Sequence, residues 1–205
     1  MENLETFIKQ CLNLNDEAVV DKFLLYIAEL KKWNKAYNLT SIEDEREIVV
    51  KHFLDSLLYL YFIPKEPLSI ADVGSGAGFP CVPIAIVRAD LKIALIEPSW
   101  KKCAFLKNLK RKLELTNIEV YQAKAQEINE KFDIVVSRAV WSIKEFVEKC
   151  EHLLKKGGCF LISKSLKLQE EIKDLPERYR IQTKEFDLPW VDGKRYIVKI
   201  ERCGS

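Results

Sequence analysis

The sequence predicts an α/β fold: a largely parallel sheet flanked by helices, with a helical extension before it and an antiparallel hairpin closing it. Three observations carry this. From Leu68 onward short apolar runs alternate with amphipathic helical patterns. The first run ends in a glycine-rich turn, Asp72-Val73-Gly74-Ser75-Gly76-Ala77-Gly78-Phe79-Pro80, with an apolar helix behind it. Towards the C-terminal end two strand-like runs flank Asp192-Gly193, a hairpin turn signal. With 205 residues the chain suits a single compact unit, divided here into a helical extension (1–66) and a core (67–205).

In order, the spacing predicts a short helix over Leu4 to Leu12 and a longer one from Asp16, with Val20, Phe23, Ile27 and Leu30 on its apolar face and Asn15 or Asp16 as cap. The periodicity breaks over Lys31 to Thr40, which reads equally as a helix end with its loop or as a rim facing RNA. Another helix starts near Asp44 and carries His52 and Asp55, three apart and read as a structural hydrogen-bonded pair. Strands follow at Leu68 to Val73, Lys92 to Ile96, Ile118 to Tyr121, Phe132 to Ser137 and Cys159 to Ser163. The intervening helices are Trp100 to Leu115 and Ser142 to Leu154, the second stopped by Gly157-Gly158. A charged helix near Leu166 to Leu175 precedes the hairpin strands Arg180 to Phe186 and Arg195 to Arg202.

Basic and acidic residues nearly cancel, 33 against 31, so any basic patch is local. The six cysteines have no C-x-x-C spacing and read as free thiols, neither metal ligands nor a disulfide framework. The first residues lack the apolar stretch of a secretory signal, and no apolar run approaches a membrane span, so a cytoplasmic protein is expected.

Glycines at the turn let the backbone take positive φ and let a ligand approach the main chain where a helix N-terminus offers free N–H groups. The dinucleotide fingerprint needs its third glycine at position 79, where Phe79 stands, and no Lys-Ser/Thr pair follows to make a phosphate loop. What remains is the D-x-G-x-G-x-G loop of S-adenosylmethionine enzymes, with Gly74, Gly76 and Gly78 admitting a cofactor that has no phosphate. Glu97, at the tip of the second strand, is placed for a ribose diol. Ala125 and Gln126, after the third strand, are placed to read adenine, and Arg138, after the fourth, points to the cleft.

Together, the segments Trp33 to Thr40, His52 to Leu57, Asp72 to Pro80, Ser137-Arg138-Ala139 and Asp192 to Arg195 resemble the bacterial small-subunit ribosomal RNA methyltransferase G family, also called glucose-inhibited division protein B. The resemblance implies a Rossmann-like class I S-adenosylmethionine methyltransferase with a seven-stranded sheet. It also implies methyl transfer to N7 of one guanine of 16S ribosomal RNA near the decoding centre. Carried over by position, the cofactor contacts are Gly74, Phe79, Ala125, Gln126 and Arg138, with Cys81, Lys124 and Gln126 standing where the family usually has Gly, Arg and Glu. Lys35, Lys164, Lys194 and Arg195 are the expected RNA contacts of a monomer acting on ribosomal RNA or the assembling subunit. Two rival readings are a methyltransferase for a small molecule or protein, and a non-catalytic RNA-binding factor on the same scaffold.

Overall fold

Seven apolar runs pair into one sheet: β1 Ser69–Val73, β2 Lys92–Ile96, β3 Ile118–Tyr121, β4 Phe132–Arg138, β5 Leu154–Lys164, β6 Tyr179–Asp187 and β7 Lys194–Arg202. Their order is β3-β2-β1-β4-β5-β7-β6; β1 to β5 pair in parallel and β7 runs antiparallel to both its neighbours. The computed structural model describes residues 3–138, 141–164 and 168–204. Ala139 and Leu166, named in the sequence reading, lie outside the described residues.

Alternation along the central strands sorts the core onto two faces. Ile70 and Val136 face α1 Leu4–Leu12, α2 Glu17–Tyr37, α5 Cys81–Val87 and α6 Trp100–Lys112. Ala71, Val73 and Val135 face α7 Ile143–Cys150 and α8 Leu168–Lys173. The order reverses between β1 and β4, the switch point outside whose carboxyl ends ligands of open α/β sheets bind.

Capping explains most of the helix boundaries. Asp16 caps α2 by accepting from Ala18 N, and Asp44 caps α3 Glu45–Ile48 by accepting from Glu47 N. The lysine-rich stretch expected to break the periodicity is still helical as far as Tyr37. It ends where Asn38 takes the left-handed conformation at φ 49°, which asparagine tolerates. In contrast, α6 stops three residues before the expected Leu115, because Glu114 turns left-handed at φ 52° and Leu115 N donates back to Lys110 O.

Gly157-Gly158 does not end a helix, contrary to the sequence expectation. α7 stops at Cys150, a short 3₁₀ turn follows, and both glycines lie within β5 at a bulge, between the Phe132–Leu154 and Ile134–Cys159 pairs. The cause is close approach: a Cβ on Gly158 would stand 2.8 Å from the Asp133 carbonyl oxygen.

Behind α3 the helix widens into a π-helical turn, Val49–Leu54, before α4 Asp55–Leu57. Such turns recur at functional sites. This one turns His52 and Asp55 inward, where they are 8% and 1% exposed.

Candidate functional site

The glycine turn leaves β1 at the switch point, and two carboxylates hold it. Asp72 Oδ2 accepts from Cys81 N at 3.3 Å, capping α5 from the strand. Glu97, at the end of β2, accepts from Gly76 N and from Ser99 N, both at 2.9 Å. The three glycines differ in what surrounds them. Gly76 (φ 58°) has only open space beyond its Cα, apart from Gly74 O at 3.8 Å. Gly78 (φ 97°) is crowded from the other side: a Cβ there would meet Tyr26 Oη at 2.6 Å and Val82 Cγ2 at 2.7 Å. Its smallness admits Tyr26, which donates from α2 to Ala77 O at 2.6 Å and stacks on Phe79.

Beside this turn opens a cavity of about 450 Å³ at the carboxyl ends of β1 to β3. Gly74, Glu97, Ala125 and Gln126 all line it, Ala125 as a buried and Gln126 as an exposed residue of one 3₁₀ turn. Lys102, Trp141 and Lys149 join them, and the Lys149 ammonium lies 4.8 Å from the centre of the Trp141 ring. Only the strand-helix register brings them together, so no local signal marks them.

Arg138 takes a different position. Its guanidinium lies over the Phe79 ring at 4.9 Å and donates to His52 Nδ1 at 3.1 Å, with Asp55 Oδ2 at 3.5 Å. Asp55 Oδ1 in turn stands 2.6 Å from Nε of Arg195, at the start of β7. His52 and Asp55 are therefore bridged by Arg138, in place of the direct pair expected. Since a guanidinium only donates, His52 Nδ1 accepts and the ring proton sits on Nε2, donating to Thr40 Oγ1 at 2.8 Å. Thr40 N donates to Asn34 Oδ1, which locks the end of α2. Burial first, then the Arg138 charge, pulls the His52 pKa down to about 3, so the ring is neutral near pH 7. Phe79 stacks with the rings of both His52 and Tyr26.

The remaining basic candidates are engaged or exposed. Lys164 is largely buried, donating to Trp141 O and to Glu171 on α8. Lys194 pairs with Glu185 and Asp187 on the hairpin, and Lys35 is exposed on α2. No helix among the described residues is long and apolar enough to cross a membrane.

The donor set suits S-adenosylmethionine. Glu97 spends two acceptor positions on N–H groups and keeps others for a diol. Asp72 Oδ1 is buried with no hydrogen-bond partner among the described residues, and burial pushes that carboxyl up to about 8. A cationic amine beside it would satisfy the orphaned oxygen and favour its ionised form.

Comparison with known proteins agrees with the geometry. The family model described as rRNA small subunit methyltransferase G matches residues 19–197. The ribosomal RNA small subunit methyltransferase G of Acetivibrio thermocellus is 38% identical over 203 residues, covering 93% of this chain and 83% of that protein. Its namesake from Actinobacillus succinogenes is 41% identical over 175 residues, covering 84% and 82%. A solved ribosomal protein L11 methylase from Lactobacillus delbrueckii subsp. bulgaricus shares the fold at TM-score 0.60 and 16% identity, over 74% of this chain and 78% of its own. The matched span takes in the glycine turn and every residue of the Asn34 to Arg195 network, and the chain belongs to the rRNA small subunit methyltransferase G family.

Proposed function

We infer that this enzyme transfers a methyl group from S-adenosylmethionine to N7 of a single guanine in small-subunit (16S) ribosomal RNA near the decoding centre. One observation carries the reading. Five segments far apart in sequence, holding Thr40, His52, Phe79, Arg138 and Arg195, converge in one network on the cofactor turn. The enzyme works as a cytoplasmic monomer, with residues 1–66 as a helical extension packed on a 67–205 core.

Bound at the cavity, S-adenosylmethionine supplies a methyl carbon on a sulfonium, which needs no further activation. Gly74, Gly76 and Phe79 hold its amino-acid end through the turn, Glu97 its ribose, and Ala125 and Gln126 its adenine. Guanine N7 carries a lone pair and no proton, so no side chain has to act as a base. The His52 ring fits this: it is neutral, and both its nitrogens are spent on Thr40 and Arg138. The chain's contribution is then positioning, which supplies up to roughly 7 to 11 kcal/mol in favourable cases. Lys35, Lys164, Lys194 and Arg195 meet the RNA backbone.

A Glu97→Gln exchange removes a charge and turns one acceptor oxygen into a donor facing an N–H group. It is expected to weaken cofactor binding about 10- to 100-fold, the cost of one or two charge-assisted hydrogen bonds, as read by calorimetry. Unchanged affinity would remove Glu97 from the site. The function itself is tested by methyl transfer from labelled S-adenosylmethionine to naked small-subunit RNA and to subunits lacking the modification, followed by nucleoside mass spectrometry. N7-methylguanosine at one position is expected, and tight cofactor binding with no transfer to either substrate would overturn the reading.

A further inference from the structure

A second concavity, of about 630 Å³, lies behind the π-helical turn, between α1, α3 and the loop joining β6 to β7. It shares no lining residue with the cavity at the glycine turn. Its walls include Phe7, Gln10, Val50, Arg46, Lys51 and Trp190. Trp190 stands out on two counts. Its φ is 58°, a left-handed conformation that costs a bulky side chain on the order of 1–3 kcal/mol. Trp190 is nevertheless 77% exposed, so burial does not repay that strain. The ring is 5.5 Å from that of Phe7, over which the Arg46 guanidinium sits at 4.9 Å.

We propose that this groove is a second RNA subsite, in which Trp190 stacks an unpaired base of the strand carrying the target guanine while Arg46 and Lys51 meet its phosphates. Stacking on an exposed aromatic beside cations is how single-stranded nucleic acid is held without sequence readout. Placement selects RNA as the occupant. The loop lies at the end of β7 that carries Lys194 and Arg195, on the ligand side of the sheet. Lys51, whose side chain lines the groove, accepts from Arg138 through its backbone carbonyl at 3.4 Å. One helical turn thus separates the groove from the guanidinium network, and a strand engaging Arg195 continues onto Trp190. Glu47 pairs with Lys51 on the groove wall, and a phosphate arriving there competes for that ammonium. The inference rests on the ribosomal RNA reading above.

The test uses the full chain, a small-subunit RNA fragment bearing the target loop, and the variants Trp190→Gly and Trp190→Phe. Glycine relieves the backbone and removes the platform, so the variant should melt at or above the wild-type temperature. It should bind the fragment roughly 5- to 100-fold more weakly, with KM for RNA raised to match. Cofactor affinity and kcat at saturating RNA should not move, and phenylalanine should keep most of the binding. Wild-type RNA affinity in Trp190→Gly, while the wild-type enzyme methylates the RNA, would overturn the subsite and leave the functional reading standing. A loss seen with whole subunits but not with naked RNA would assign the groove to a protein and also overturn the proposal. A wild-type chain that binds no RNA would remove both readings together.

Discussion

Replacing Gly78 by alanine is expected to destabilise the protein by roughly 3 to 6 kcal/mol, the sum of left-handed backbone strain, overpacking and a weakened buried hydrogen bond. The added methyl would stand 2.6 Å from Tyr26 Oη and 2.7 Å from Val82 Cγ2, and the φ of 97° is one a side chain rarely adopts. Neither neighbour is free to move. Tyr26 is fully buried and bonded to Ala77 O, and Val82 sits in the first turn of α5. A loss of that size is a large part of the 5 to 15 kcal/mol typical of a domain, so a urea melt should show a much lower midpoint. Cofactor binding should fall with it, because the turn shifts. The clash has a signature of its own: adding Tyr26→Phe removes the crowded oxygen and should restore part of the loss, whereas Tyr26→Phe alone destabilises. A Gly78→Ala protein of wild-type midpoint would show that the turn can yield, against the packing described.

Asp55→Ala is the other large effect. Its carboxylate is 1% exposed and is the shared counter-ion of Arg138 and Arg195, whose side chains are only 20% and 25% exposed. Removing one partner of a buried ion pair leaves uncompensated charge, which costs about 3 to 5 kcal/mol. Methyl transfer should fall further than cofactor affinity, since neither Asp55 nor its partners Arg138 and Arg195 line the cavity at the glycine turn. Calorimetry with S-adenosylmethionine alongside a methyl-transfer assay separates the two. Equal losses of both would show that the network acts only by holding the turn in shape. Asp55→Asn, which keeps an acceptor of the same shape, should lose less stability than alanine.

How far the sequence could be read follows from where the deciding contacts lie. β2, β3 and α1 were legible to the residue because alternation, periodicity and capping are local. The end of α2 was not. Asn34 looked like a break in the pattern, yet it is buried on the helix, with its amide oxygen turned to Thr40 N. The glycine pair at 157 and 158 is ambiguous in sequence between a helix stop and a bulge, and the atom that decides it, Asp133 O, belongs to another strand. In the site, the turn and Glu97 were legible because a strand followed by a helix fixes which end of the sheet they occupy. Arg138 was expected at the same cleft, but its partners Lys51, His52 and Asp55 come from a turn more than eighty residues earlier. The π-helical widening that aims them has no local sequence signal. Lys164 shows the same limit, since its partner Glu171 belongs to another element, α8.

The reversed direction of β7 has a consequence for how the molecule assembles. Because this strand runs against β5 and β6, its first residues are the ones that reach the ligand side, and Arg195 meets Asp55 across 140 positions of chain only once β7 has entered between them. Contacts of that separation form late, after their loop-closure entropy has been met. The residues lining the cavity at the glycine turn all lie between Val73 and Lys149, on or beside strands that pair without the hairpin. A refolding chain therefore completes the walls of the cavity at the glycine turn first, and the Asp55–Arg195 pair only when the hairpin arrives.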